Sequence, residues 1–153
     1  LGDVYKRQFL DNVFFTFPDP VPAERRLKLT DILESNVDSK YFVKENIRQS
    51  RLMRLKDPNY PKPYISHENM AGSITPHHYS SCLRAGASAN YILINDERRP
   101  TEREMLRLQG FPDDYKIVVS YSQIKHQCGN SVAVPVIKAV AAEMIKALTL
   151  YNS

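Results

Sequence analysis

Arg98-Arg99-Pro100-Thr101-Glu102-Arg103-Glu104 leads into Leu108-Gln109-Gly110-Phe111-Pro112-Asp113, and Gln123, Gln127, Gly129-Asn130-Ser131-Val132 and Pro135 follow soon after. The first half predicts a helix with both of its ends written into it. Thr101 and Glu104 have the spacing of a capping box, in which the hydroxyl accepts from the amide three residues on and the carboxylate reaches back. Met105 and Leu108 can face a core, while Arg103 and Arg107, four apart, share another face. Gly110 suits the left-handed position after a helix, and Pro112 blocks continuation. Ser120 and Gln123 repeat the capping logic, so a second helix is expected, stopping at Gly129. A third should begin near Asn130 or Ser131, because Pro135 fits only within a first turn. In it, Val132, Val136, Val140 and Met144 recur every fourth residue beside Ile137, Ala141, Ile145 and Leu148. That spacing predicts an amphipathic helix packed on something large.

Upstream the pattern is less regular. Asn12-Val13-Phe14-Phe15-Thr16-Phe17 reads as a buried strand over about 12–17, stopped by Pro18 and Pro20. A strand so early needs neighbours, and few are obvious, which suggests a larger sheet elsewhere. Thr30-Asp31-Ile32-Leu33-Glu34 predicts a short helix with Thr30 or a near neighbour as cap. Residues 39–55 are mixed helical, and with Lys56 just after them they form a row of Lys40, Lys44, Arg48, Arg51, Arg54 and Lys56. A solvated basic face and a phosphate-contacting face both fit that row. Asp57 to Pro63 is a turn-rich break. From Ile65 to Ala89 the residues look irregular, as in a recognition or packing loop. Asn90-Tyr91-Ile92-Leu93-Ile94 reads as a strand ended by Asn95-Asp96.

The 153 residues suffice for one domain or part of a larger one. With 42% hydrophobic and 25% charged residues, a folded chain is expected rather than a disordered one. The net charge of +4 is compatible with a polyanionic partner without demanding one. Two cysteines, Cys82 and Cys128, signal neither a disulfide framework nor a zinc ribbon. No apolar run is long enough to span a membrane. Leu1 stands where Met would, and residues 1–8 show no periodicity. Two readings stay open: a truncated start with a few foreign residues at the junction, and ordinary processing.

Catalytic signatures are absent: there is no Gly-x-Ser-x-Gly, His-Glu-x-x-His, P-loop or Gly-x-Gly-x-x-Gly. His77-His78 diverge and lack a third ligand at a recognisable spacing, so no metal is expected. His126 and Cys128, two apart on a helix, point apart, and both cysteines read as ordinary thiols. What remains is the turn at Gly129, where the amides of Ser131 and Val132 would begin a helix able to hold an anionic group.

Arg98-x-x-Thr101-x-Arg103-Glu104-x-x-Arg107-Leu108-Gln109-Gly110-Phe111-Pro112-Asp113 resembles the penultimate conserved motif of DNA cytosine-5 methyltransferases. Gln123-x-x-x-Gln127-x-Gly129-Asn130-Ser131-Val132-x-Val134-Pro135-Val136 resembles their final motif. Asp31-Ile32-Leu33-Glu34 with Tyr41 looks like the lead-in to the family's target-recognition domain, and Ser73-Ile74-Thr75 through Ile94 like its last part. The likeness covers about residues 9–148, with one departure, Pro100 where the family usually has Leu.

The resemblance implies an α+β chain, the C-terminal fragment of a Rossmann-like S-adenosylmethionine-dependent methyltransferase. Residues 1–22 would end the catalytic-domain sheet, 23–96 would form a small irregular target-recognition domain, and 97–153 would be motif-bearing helices returning to the catalytic domain. In such enzymes a cysteine thiolate adds to carbon 6 of a flipped-out cytosine, a glutamate assists at the ring, and carbon 5 takes the methyl of S-adenosylmethionine before β-elimination. By the same resemblance Asn130, Ser131 and Val132 would border the methionine part of the cofactor. Thr75, Tyr79 and Arg84 would contact double-stranded DNA. Arg98, Thr101, Arg103, Glu104, Gln109, Gly110, Gln127 and Gly129 would be structural, with no catalytic residue among them. The family's Pro-Cys, Phe-x-Gly-x-Gly and Glu-Asn-Val motifs are absent, so the isolated chain is expected to be inactive. An N-terminal catalytic domain, in the same or a partner chain, would complete a cytoplasmic, nucleoid-associated bacterial or phage restriction-modification enzyme. A non-catalytic specificity subunit of a split enzyme and an inactive remnant are the alternatives.

Overall fold

The computed structural model describes residues 15–151. A 3-10 turn at Ala23–Arg25 precedes helix α1 (Leu29–Ile32), and a second at Ser39–Tyr41 precedes α2 (Glu45–Leu52). Strands β1 (Ile65–Glu68), β2 (Ile74–His77) and β3 (Ile92–Ile94) follow, then helices α3 (Glu102–Leu108), α4 (Tyr121–Asn130) and α5 (Val134–Tyr151). The chain is therefore α+β. Its strands form one antiparallel sheet in the order β2-β1-β3.

Register explains which side chains are enclosed. Ile65 opposes His77 on one side and Ile94 on the other, while His67 opposes Thr75 and Ile92. Opposed residues share a face, so Ile65, Ile92 and Ile94 lie together. They join Leu29, Leu83, Tyr91, Met105, Leu106, Ile124 and Cys128 in one core that draws on the sheet, α3 and α4. Each fully buried aliphatic side chain of this kind contributes about 1.5–3 kcal/mol. The opposite face carries Ser66, Glu68 and Ile74. A smaller apolar cluster of Leu55, Tyr64 and Ile74 forms there with Leu52 and Tyr60.

The hairpin of β1 and β2 departs from the irregular loop expected between Ile65 and Ala89. Its sign in the sequence was the alternation across Ile65-Ser66-His67-Glu68, with Gly72 in the turn at φ +79°. Pro76 masked it, but β2 is an edge strand and can spare a backbone donor. Of the strand expected over 12–17, residues 12–14 lie outside the described residues, and 15–17 carry no regular structure. Thr30 lies inside α1, whose start is capped instead by the Asp31 carboxylate accepting from the Lys28 N–H at 2.8 Å.

Within the basic row, Arg51 fits neither reading, while Lys40 and Lys44 are exposed. Arg51 is 1% exposed. Its Nε donates to Asp96 Oδ1 at 2.8 Å, and Nη1 and Nη2 donate to Glu68 Oε2 at 3.1 Å and Ser66 Oγ at 2.7 Å. Asp96 also accepts from Ser66 Oγ at 2.5 Å and Tyr64 Oη at 3.1 Å. A buried guanidinium needs this many partners to offset its desolvation. Arg48 pairs with Glu45, and Arg54 pairs with Glu68 and the Gly72 carbonyl.

The largest correction concerns Gly129. It does not end α4, which continues through Asn130; Ser131 is the extended C-cap (φ −81°, ψ 162°). The next helix begins at Val134, with Pro135 in its first turn. Gly129 is small because α4 lies against another segment: a Cβ there would stand 2.2 Å from the Ala85 nitrogen. The glycine serves close packing rather than a turn.

Candidate functional site

Two polar assemblies and one open segment make up the site region. The first assembly centres on Glu104, which is 0% exposed. Thr101 Oγ1 accepts from the Glu104 N–H at 3.1 Å, and the carboxylate accepts from the Thr101 N–H at 2.9 Å, as the capping box predicted. That carboxylate also takes both terminal nitrogens of Arg98 at 2.7 Å each, and the Glu34 N–H at 2.9 Å. Glu34 in turn accepts from Thr101 Oγ1 at 2.6 Å. Four donors on one buried carboxylate neutralise and fix it. Arg98 and its neighbours also join the segment before α2: Val43 N–H donates to the Glu97 carbonyl and Arg99 N–H to the Tyr41 carbonyl, at 3.0 and 2.9 Å.

In the last turn of α3, Arg107 holds Asp113 through two bonds of 2.7 and 2.8 Å and donates to the Ile32 carbonyl at 3.0 Å. The guanidinium keeps the Asp113 carboxyl below its ordinary range, and the hydrogen bond is the chief cause. Arg103 donates to the Tyr115 carbonyl at 2.9 Å, so it braces the turn after Phe111-Pro112. Pro100, the departure in the first motif, leaves the capping box intact.

The second assembly joins the two motifs to each other. Gly110 has φ +78°, and a Cβ on it would lie 2.4 Å from Pro135 Cδ. Beside it the Val134 N–H donates to the Gln109 carbonyl at 2.8 Å, and Gln109 Nε2 donates to the Cys128 carbonyl at 2.7 Å. Gly110, Gln109 and Pro135 thus meet across 25 residues of chain because a left-handed turn opens room for the proline ring. Gln127 is exposed and takes no part. Burial pushes the Cys128 thiol up to about 11, which leaves it unreactive at neutral pH.

The open segment is Asn130 to Ala133. Ser131 commits both its N–H and its hydroxyl to the Cys128 carbonyl, at 3.3 and 2.9 Å. It therefore does not start a helix or offer its amide to an anion, as the sequence suggested. Asn130 is exposed, Val132 is 56% exposed, and among the described residues the Asn130 carboxamide and the Val132 N–H have no partner. Ser131 and Val132 line a cleft of about 370 Å³ with Ser80, Cys82, Leu108 and Gln109.

Thr75, Tyr79 and Arg84 are brought into one neighbourhood by the sheet. Thr75 opposes His67 in the β1–β2 ladder. Tyr79, 64% exposed, stacks on His77 with centroids 4.6 Å apart. The Arg84 guanidinium lies over the Tyr91 ring at 4.9 Å, and that ring meets His67 edge-on at 6.1 Å. His67, His77 and Tyr91 were missed in the sequence, since only the hairpin register reveals them as neighbours. His67 is held below its ordinary pKa, by burial first and then by Arg84 and His77. His78 turns away to Tyr60 and the Pro63 carbonyl, and no three potential metal ligands cluster among the described residues.

Residues 14–146 match the family model described as C-5 cytosine-specific DNA methylase. The type II methyltransferase M.NgoBI of Neisseria gonorrhoeae is 47% identical over 138 residues, 89% of this chain and 43% of the relative. M.HaeII of Haemophilus aegyptius is 43% identical over 150 residues, 96% of this chain and 46% of the relative. Among solved structures, the S. pombe Dnmt2 methyltransferase aligns with a TM-score of 0.53 at 19% identity, covering 80% of this chain and 43% of that one. That likeness is one of fold. The chain spans less than half the length of these relatives. With the family model covering most of its residues, the chain belongs to the C-5 cytosine-specific DNA methylase family.

Proposed function

We propose that the chain is the C-terminal part of a DNA (cytosine-5) methyltransferase that methylates carbon 5 of cytosine at a specific DNA sequence. Residues 23–96 serve target recognition, and 97–153 brace that region and return toward the catalytic domain. The observation that carries this reading is the interlock of the two motifs. Gly110, Gln109 and Pro135 fasten the open Asn130–Ala133 segment to the body that also holds Thr75, Tyr79 and Arg84. One connected piece thus offers polar groups at one place and basic and aromatic groups at another. The apolar side of α5, with Val136, Ile137, Ile145 and Leu148 exposed, supports an extensive partner surface for this piece.

S-adenosylmethionine supplies the methyl group in this chemistry. The residues present fit its methionine end in part: the Asn130 carboxamide and the Val132 N–H are free to bind a carboxylate or an ammonium, while the Ser131 N–H is already committed. Arg98 and Thr101 act by fixing Glu104 rather than by touching DNA. The intact enzyme works in a bacterial or phage cytoplasm, at the nucleoid. Among the described residues no helix is long and apolar enough to cross a membrane.

The test joins two assays on the purified chain. Duplex binding followed by fluorescence anisotropy should weaken steeply with salt, as phosphate contacts do. Radiolabelled methyl transfer to DNA should be absent from the chain alone and appear when a segment carrying Pro-Cys and Phe-x-Gly-x-Gly is co-expressed with it. Robust transfer by the chain alone, or binding indifferent to salt, would overturn the assignment.

A further inference from the structure

Residues 84–87 form neither helix nor strand, yet they are tied down at three points. The Arg84 N–H donates to Tyr91 Oη at 2.8 Å. Lys125 Nζ donates to the Ala85 carbonyl at 3.3 Å and to the Ala87 carbonyl. Gly129, one turn further along the same helix, lets the Ala85 backbone approach to where a Cβ would stand. Arg84 and Lys125 lie at 4.9 and 5.8 Å from the centroid of the same Tyr91 ring. A lysine drawn in beside an arginine is not an ordinary solvated charge: burial, and then Arg84, lower its pKa. Two carbonyls and an aromatic face offset that cost. The guanidinium of Arg84 meanwhile belongs to an exposed residue.

We propose that Lys125 is a positioning residue for DNA binding: its ammonium, with the space left by Gly129, seats the 84–87 loop so that Arg84 is presented to the duplex. This rests on the reading of Arg84 as a DNA contact. Its consequence is that α4 serves both ends of the site. One face holds the DNA-contacting loop, and the C-terminal end leads into the Asn130–Ala133 segment. Neither function can shift without moving the same ten-residue helix.

The test uses Lys125→Met, which keeps the stem over Tyr91 and removes the donor. Lys138→Met, an exposed α5 position, is the control for lost charge. The probe is a fluorescein-labelled pool of random-sequence duplexes, read by anisotropy. Arg84→Ala should weaken binding roughly tenfold. Lys125→Met should weaken it roughly fivefold, and the double variant no further than Arg84→Ala alone, because coupled neighbours are non-additive. Lys138→Met should act independently of Arg84→Ala. Effects of Lys125→Met and Arg84→Ala that multiply would overturn the positioning role and leave Arg84 as a contact. Binding unchanged in Arg84→Ala would overturn the contact itself, and this proposal with it.

Amide hydrogen exchange on the free chain gives a second readout that needs no DNA. Exchange at Arg84 and Ala87, whose N–H groups donate to Tyr91 Oη and to the Arg84 carbonyl, should rise roughly tenfold in Lys125→Met and stay at the parent rate in Lys138→Met. Unchanged exchange at those amides in Lys125→Met would show that the lysine does not hold the loop and would sink the proposal.

Discussion

The region around Glu104 and the region from Asn130 to Tyr151 carry the two motifs of this chain, and they are built in opposite ways. Around Glu104 polar groups are answered from within: Arg98, Thr101 and Glu34 all meet the buried carboxylate. From Asn130 onward the segment faces outward, with Val132, Val136, Ile137 and Ile145 exposed, while Ala147 is buried. The first region is self-sufficient, and its bonds tie the start of α3 to Arg98 and Glu34. The second holds its shape through one anchor at Gly110 and Pro135, and leaves its surface for something else. Similar apolar and polar residues therefore carry very different stability weight in the two regions.

The largest effect expected is at the closed region. Glu104→Ala would strand the Arg98 guanidinium, the Thr101 N–H and the Glu34 N–H together. Breaking a buried pair by removing one partner costs about 3–5 kcal/mol. Urea unfolding of this variant should show that loss; a loss below about 1 kcal/mol would mean that water reaches the carboxylate and the region is not closed.

Next comes the anchor between the regions. Gly110→Ala places a side chain in left-handed backbone and drives its Cβ toward the Pro135 ring. Strain and overpacking together should cost about 2–4 kcal/mol. The Val134 amide, whose carbonyl partner is Gln109, should then exchange faster with solvent. If stability falls while Val134 stays protected, the two regions are joined by more than this contact.

How much of this was legible beforehand divides along physical lines. Thr101, Glu104, Gly110 and Pro112 carried local information, and caps and breakers act within four residues, so α3 and its ends could be read directly. Gly129 could not be read that way. A glycine selected for an approach by Ala85 looks the same in sequence as one selected for a turn. Arg51 was equally opaque, since its partners Glu68 and Asp96 lie 17 and 45 residues away. The β1–β2 hairpin was hidden by Pro76, whose cost vanishes only at a sheet edge. That edge is a property of the whole sheet. The expectation of DNA contacts at Thr75, Tyr79 and Arg84 came from family likeness, whereas only the hairpin register sets His67 opposite Thr75, and only the fold stacks His77 on Tyr79.

A smaller effect is expected at His67, half-buried on β1 against the Tyr91 ring. Its folded pKa lies below the ordinary value near 6.5, with burial the leading cause. The folded chain therefore binds this proton less readily than the unfolded chain. Stability is fully present above the unfolded value and is lost as pH falls through 6.5 toward the folded one. The melting temperature should decline more steeply over that window in the parent than in His67→Gln. Equal slopes would place His67 in solvent, on the open side of the division.

The smallest effect should come from the open region itself, and there a near-zero result is informative. Ile145 is 64% exposed on α5, whereas Ile92 is 2% exposed in the sheet core. Ile92→Ala should cost about 2–5 kcal/mol through lost burial and a cavity. Ile145→Gln removes an apolar side chain of the same type, yet it should leave stability within about 0.5 kcal/mol of the parent, because little of that surface is withdrawn from water on folding. Sedimentation velocity supplies the sharper half of the experiment. If Ile145→Gln instead costs more than about 1.5 kcal/mol and dissociates a sedimenting oligomer, then copies of this chain already cover the α5 face in solution. The open region would then be closed by self-association. A variant that stays folded and monomeric, with parental stability, leaves the α5 face as a surface whose apolar residues contribute only when another body is laid against them.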